Sequence, residues 1–176
     1  TGLLYLPSSK SSHAIAVIRE LQKLPGTEIT VVTGRLKALH RSLAESGIID
    51  GVKTHLIGWT DKMPELLCSH HLYIGKAGGA VVHEAMAARC PILVSHVVPG
   101  QEEGNIELIE RHDIGRLAAH YPAALAASVE EIFASGASTW KRWKMNLVAL
   151  SKPSASRDIA AAVLSAARKK PRTLAD

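Results

Sequence analysis

Two adjacent glycines, Gly78 and Gly79, stand where the strand-like run "LYIG" (72–75) gives way to the helix-like run "AVVHEAMAAR" (80–89). Without Cβ atoms they let an anion approach the backbone, and the free N–H groups at the start of the following helix would meet it. The same pair is also what a tight strand-to-helix turn would use. Glu84, in the first turns of that helix, reads either as a surface glutamate favoured by the helix dipole or as a carboxylate accepting two hydrogen bonds from a ribose diol. Lys76 reads as a phosphate contact or as a strand-end lysine whose stem lies along the surface.

A second unusual stretch is "VVPGQEEGNIELI" (97–109). Pro99 and Gly100 make a turn, and Gln101, Glu102 and Asn105 then crowd hydroxyl-binding groups at a helix start. A helix cap accounts for one or two of them, not for all three.

Other chemistries fit less well. His70 and His71 follow Cys68, but adjacent histidines diverge on a helix and no second ligand pair has metal spacing, so no metal site is expected. His83 and Glu84 are not followed by a histidine at zinc-protease spacing, and there is no G-x-S-x-G elbow. No G-x-G-x-x-G appears, and the second strand ends in Gly34 and Arg35 rather than an acid, which disfavours a dinucleotide dehydrogenase.

The elements that must position these residues follow from periodicity. Strands are expected at 3–6, 29–33, 52–57, 72–75, 92–95 and 115–118, with helices between them at 12–23, 36–45, 62–69, 80–89 and 105–111. Such alternation predicts an α/β fold: a Rossmann-like, doubly wound parallel sheet of six strands with helices on both faces. In the order 3-2-1-4-5-6 the crevice opens between strands one and four. The loops "PSSKSSH" (7–13) and "KAGGA" (76–80) flank it. After the sixth strand the chain becomes a helical C-terminal tail, with Ser138 and Ser156 as expected N-caps. One domain over 1–170 and a frayed end at 171–176 complete the layout.

Composition narrows the ligand. The chain has 176 residues, 47% hydrophobic, with a net charge of +5. That excess suits nucleic acid, an anionic membrane surface or a phosphorylated ligand. The cations are dispersed, with the densest runs at 141–144 and 168–172, as on solvated surfaces. Aromatics at 4% leave few platforms for stacking bases, so no nucleic-acid partner is expected. Two cysteines in apolar context favour a reducing compartment. Neither a signal peptide nor a run of about 20 apolar residues is evident. The start at a strand rather than at a methionine suggests a piece of a longer protein.

The stretch 56–105, with G-W, K-A-G-G, E-A and P-G-Q-E-x-G-N in series, resembles the donor-binding half of GT-B glycosyltransferases of family 28. It is most similar to monogalactosyldiacylglycerol synthases and processive diacylglycerol glucosyltransferases, and more distantly to the lipid II N-acetylglucosaminyltransferase. The resemblance implies that Gly58 and Trp59 hold uracil, that Gly78, Gly79 and Ala80 hold the diphosphate, that Glu84 binds ribose, and that Gln101, Glu102 and Asn105 read the sugar. Ser8, Ser9 and Ser11 replace the glycine-rich loop usual in relatives and could offer phosphate contacts. The implied reaction is inverting transfer of a hexose from a UDP-hexose to a lipid acceptor, needing no metal or cofactor. The general base and acceptor site would belong to an N-terminal domain absent from this chain, which alone would be inactive. The implied location is cytoplasmic, peripheral at the cytoplasmic face of the membrane. A UDP-sugar epimerase half and a non-catalytic nucleotide-binding subunit with a membrane partner remain the alternatives.

Overall fold

The computed structural model describes residues 1–8, 10–118 and 121–168. Six strands, β1 (Gly2–Tyr5), β2 (Glu28–Val32), β3 (Thr54–Ile57), β4 (Leu72–Lys76), β5 (Ile92–His96) and β6 (Gly115–Leu117), form one sheet in the order β3-β2-β1-β4-β5-β6. All five pairings are parallel. The helices are α1 (Ser11–Gln22), α2 (Lys37–Glu45), α3 (Met63–Ser69), α4 (Gly79–Ala88), α5 (Glu103–Arg111), α6 (Pro122–Leu150) and α7 (Ala155–Arg168). This is the expected doubly wound layout.

Side chains alternate across the sheet with the period of two that strands impose. Leu3, Tyr5, Ile29, Val31 and Ile74 pack on one face against Val17 and Leu21 of α1 and Val129 and Ile132 of α6. Leu4, Val32, Tyr73, Ile92 and Val94 pack on the other against Leu67, Val82, Ala85 and Ile109 from α3, α4 and α5. Burial on both faces explains why these strands read as continuous apolar runs.

Several boundaries differ from the sequence reading, each for a local reason. The third strand begins at Thr54 rather than at 52, because the Asp50 carboxylate accepts the N–H groups of Val52, Lys53 and Thr54 at 2.8 to 2.9 Å. Those bonds close a turn and hold its carboxyl below the usual range. Near the C-terminus, α6 is broken at Ala134–Ala137, where Ser135, Gly136 and Ala137 have positive φ. Helical geometry resumes at Ser138, so Ala137 rather than Ser138 holds the capping position. Similarly, α7 starts at Ala155, so Ser156 lies inside it, and it is the Ser154 carbonyl that accepts the N–H groups of Arg157 and Asp158. The second arm of α6 is tied down by polar bonds: Trp140 Nε1 donates to the His71 carbonyl at 2.7 Å, and Trp143 Nε1 donates to Asp113 at 2.8 Å. Among the described residues no helix is long and apolar enough to cross a membrane. The expected boundary at 170 and the tail 171–176 lie outside the described residues.

Candidate binding crevice

A cavity of about 520 Å³ opens at the carboxyl ends of the strands, at the switch point between β1 and β4. Leu6 and Pro7 line it from the end of β1, Thr33 and Gly34 from the end of β2, Trp59 and Thr60 from the connection that follows β3, and Met63 from the first residue of α3. Its opposite wall is Tyr73, Lys76, Gly78, Gly79, Ala80 and Val81, with His96 at the end of β5.

The glycine pair is not there for the turn. Gly78 is the N-cap of α4 with φ −65° and ψ 140°, a conformation open to any residue. A Cβ at Gly78 would meet nothing nearer than the Lys76 Cε at 3.4 Å, and one at Gly79 nothing nearer than the Asn105 Nδ2 at 3.9 Å. Neither backbone angle nor packing demands glycine. What glycine does supply is open access to the start of α4, where no side chain caps the first N–H groups. Gly75 is the contrasting case. A Cβ there would lie 2.3 Å from the Tyr73 hydroxyl oxygen, so this glycine makes room for the buried ring that floors the crevice. The Tyr73 hydroxyl donates to the Lys76 carbonyl at 3.0 Å, and burial pushes its phenol well up.

The loops beyond β4 and β5 are stapled together. Glu102 is only 3% exposed; its Oε2 accepts the Val98 N–H at 3.0 Å and its Oε1 lies 3.4 Å from Lys76 Nζ. Asn105 Nδ2 donates to the Ala77 carbonyl at 2.8 Å. The Gly100 N–H, in a turn at φ +80°, donates to Glu103 at 2.6 Å and lowers that carboxyl's pKa.

Of the residues singled out from the sequence, Trp59, Lys76, Gly78, Gly79 and Ala80 line this cavity, and Gly58 lines an adjoining one. Glu84 is exposed on the second turn of α4 and Gln101 is exposed in the loop after β5, both outside the lining. Glu102 and Asn105 are occupied in holding the loops. Ser8 and Ser11 do not line the cavity, and Ser9 lies outside the described residues. His70 bridges the Leu66 carbonyl at 2.7 Å and Thr30 Oγ1 at 2.8 Å, while His71 Nδ1 accepts the Gly2 N–H at 3.0 Å. Thr33, Thr60, Met63 and Tyr73 went unnoticed in the sequence. The signal for Thr33 was its place at the end of β2, a strand end read only for the acid it lacks.

No family model matches the chain. It is 32% identical over 98 residues to a processive diacylglycerol beta-glucosyltransferase of Staphylococcus carnosus, covering 56% of this chain and 25% of that protein. Monogalactosyldiacylglycerol synthase 3 of Arabidopsis thaliana is 27% identical over 155 residues, covering 87% of this chain and 33% of the synthase. The chain thus spans a quarter to a third of these relatives. In three dimensions it is similar to a putative UDP-N-acetylglucosamine 2-epimerase from Listeria monocytogenes, with TM-score 0.71 and 16% identity over 98% of this chain and 47% of that one. It is also similar to the HepE protein of Anabaena solved in complex with UDP, with TM-score 0.58 and 17% identity over 94% and 48% of the two chains. The fold is one Rossmann-like half of the GT-B architecture, and the resemblance to glycolipid glycosyltransferases is borne out by homology.

Proposed function

We propose that this chain is the donor-binding half of an inverting glycosyltransferase that passes a hexose from a UDP-hexose to a lipid acceptor such as diacylglycerol. The observation that carries this reading is the glycine pair at the crevice, whose only evident use is access of an anion to the start of α4. The diphosphate lies there, beside Lys76. Uracil lies against Trp59, Thr60 and Met63, whose mixed apolar and hydroxyl surface suits a small pyrimidine. Glu84 receives the ribose, and Gln101 reaches the sugar from the loop that Glu102 and Asn105 hold in place.

The acceptor hydroxyl attacks the anomeric carbon, the bond to the diphosphate breaks, and configuration inverts. Charge then grows on the leaving UDP, where the N–H groups of Gly79 and Ala80 and the Lys76 ammonium stabilise it. The scheme requires neither a metal nor a cofactor. The general base and the acceptor surface belong to a domain outside this chain, and the whole enzyme works peripherally at the cytoplasmic face of a membrane. Homology by sequence is to transferases, whereas the likeness to epimerases is one of fold, which favours transfer.

Calorimetry with UDP, ADP and GDP tests the reading. UDP is expected to bind most tightly, and equal affinity for all three would reduce the crevice to a generic phosphate site. Release of free UDP with a new glycoside, rather than an epimerised UDP-sugar, separates transfer from epimerisation in the assembled enzyme.

A further inference from the structure

A second cavity, of about 740 Å³, adjoins the donor crevice and shares Gly34 and Trp59 with it. Arg35, Lys37 and Arg41 line it, and no carboxylate does. Lys37 and Arg41 stand one turn apart on α2 and so project from the same face. None of the three cations has an ion-pair partner among the described residues. Arg35 lies instead 6.0 Å from the centre of the Trp59 ring. Trp59 is 61% exposed and Leu36, between two of the cations, is 44% exposed.

We propose that this cavity and its rim dock the phosphate-bearing headgroups of an anionic lipid bilayer, setting the mouth of the donor crevice against the membrane. Three unpaired cations around a space without a carboxylate complement lipid phosphates. An exposed leucine flanked by basic side chains suits a membrane interface, with the leucine and the aliphatic stems of the cations in the headgroup layer. The location agrees with the charge: the cavity sits at the carboxyl ends of β2 and β3, the rim where the crevice opens. A nucleic-acid strand is the poorer match, because a single tryptophan offers no succession of stacking platforms. The inference rests on the donor reading only for its consequence, that a lipid acceptor is met at the bilayer surface.

Sedimentation with vesicles of equimolar phosphatidylglycerol and phosphatidylcholine tests it on the 176-residue chain. Lys37→Gln/Arg41→Gln is compared with Lys152→Gln/Arg157→Gln, which removes the same charge elsewhere. The expected result is that the first variant partitions onto these vesicles at least roughly tenfold more weakly than the unaltered chain. The second should bind nearly as the unaltered chain does, and neither should lose UDP affinity. Phosphatidylcholine vesicles alone should bind little, and millimolar inorganic phosphate should not displace the chain from the anionic ones.

Equal losses in both variants would mean diffuse charge attraction, and no loss in the first would mean that the cavity is not the docking point. Either overturns the proposal. So would displacement by inorganic phosphate, which marks a site for free anions, or a selective loss of oligonucleotide binding. Failure of UDP selectivity in the unaltered chain would count against the donor reading instead, leaving the vesicle result to stand by itself.

Discussion

The buried carboxylate of Glu102 lies 3.4 Å from the ammonium of Lys76, joining the loop after β5 to the wall of the crevice. Lys76 is half exposed, so water screens the attraction and the pair itself contributes little. The firmer bond is the one from the Val98 N–H, which would be left unsatisfied if the acceptor were removed. Glu102→Ala is therefore expected to cost about 1 to 3 kcal/mol, and Glu102→Gln, which keeps an acceptor, to recover most of it in urea unfolding. If Glu102→Ala left stability unchanged while abolishing discrimination between hexoses, the residue would be a sugar contact after all.

The glycines of the K-A-G-G segment and of the preceding strand should respond in opposite ways to alanine. Gly75→Ala forces a methyl against the Tyr73 hydroxyl and ring and is expected to destabilise by about 1 to 3 kcal/mol. Tyr73→Phe in the same chain removes the nearest atom, so the double variant should be more stable than the sum of the two single losses. Gly79→Ala sits at the start of a helix with space around it, so stability should hold or rise by up to about 1 kcal/mol. Its UDP affinity should nonetheless fall at least roughly tenfold, because the methyl stands where the diphosphate must approach. Unchanged UDP affinity in a well-folded Gly79→Ala would remove the anion site from the start of α4.

The sheet was legible because strands buried on both faces carry unbroken apolar runs, such as 72–74 and 92–94, and strand-order rules then locate the crevice. The site was legible in part, for a physical reason. Gly78, Gly79 and Trp59 line the crevice, and backbone openness or a large ring is what residue type announces. The work of Glu102 and Asn105 depends on which way each side chain turns, and spacing does not fix that. Thr33 and Met63 carry no rare chemistry and become visible only when the ends of β2 and β3 are brought to one rim. The break in α6 was legible from the helix start expected at Ser138, but not its geometry, because Ser135 and Ala137 adopt positive φ, which neither residue type signals.

Asp113 links the turn before β6 to α6 and should show in the pH dependence of stability. It accepts from Arg142 Nε at 2.6 Å, from Trp143 Nε1 at 2.8 Å and from Asn146 Nδ2 at 3.2 Å. The Arg142 guanidinium, above all, holds its carboxyl below the usual range. A carboxyl lowered in the folded state stabilises it above the unfolded value near 3.9, and the stabilisation is lost as pH falls through the lower folded value. Asp113→Asn keeps a residue that tolerates φ +47° and one acceptor oxygen, and removes the charge and the other acceptor. It should cost about 1 kcal/mol at pH 7, a figure reduced for the partial exposure of the pair, and progressively less as the pH falls through the lowered folded value and Asp113 loses its charge. Denaturant titrations at several pH values check this, and a deficit that persisted in acid would point to geometry rather than charge.

Glu84 provides the sharpest test of the donor reading, because it stands exposed on α4 beyond the cavity lining. In the bound state its carboxylate is expected to accept hydrogen bonds from both ribose hydroxyls, which are stronger for being made to a charge. Glu84→Gln keeps the shape and one acceptor but removes the charge, so UDP affinity should fall by roughly tenfold or more. The comparison that separates contact from a general field is 2′-deoxy-UDP. The unaltered chain should prefer UDP to its deoxy form, and the variant should lose most of that preference. A glutamate that served only the dipole of α4 would leave the preference intact. Calorimetry of both nucleotides with both proteins decides it: an undiminished preference in Glu84→Gln would take Glu84 out of the site and leave the ribose to another residue of the rim.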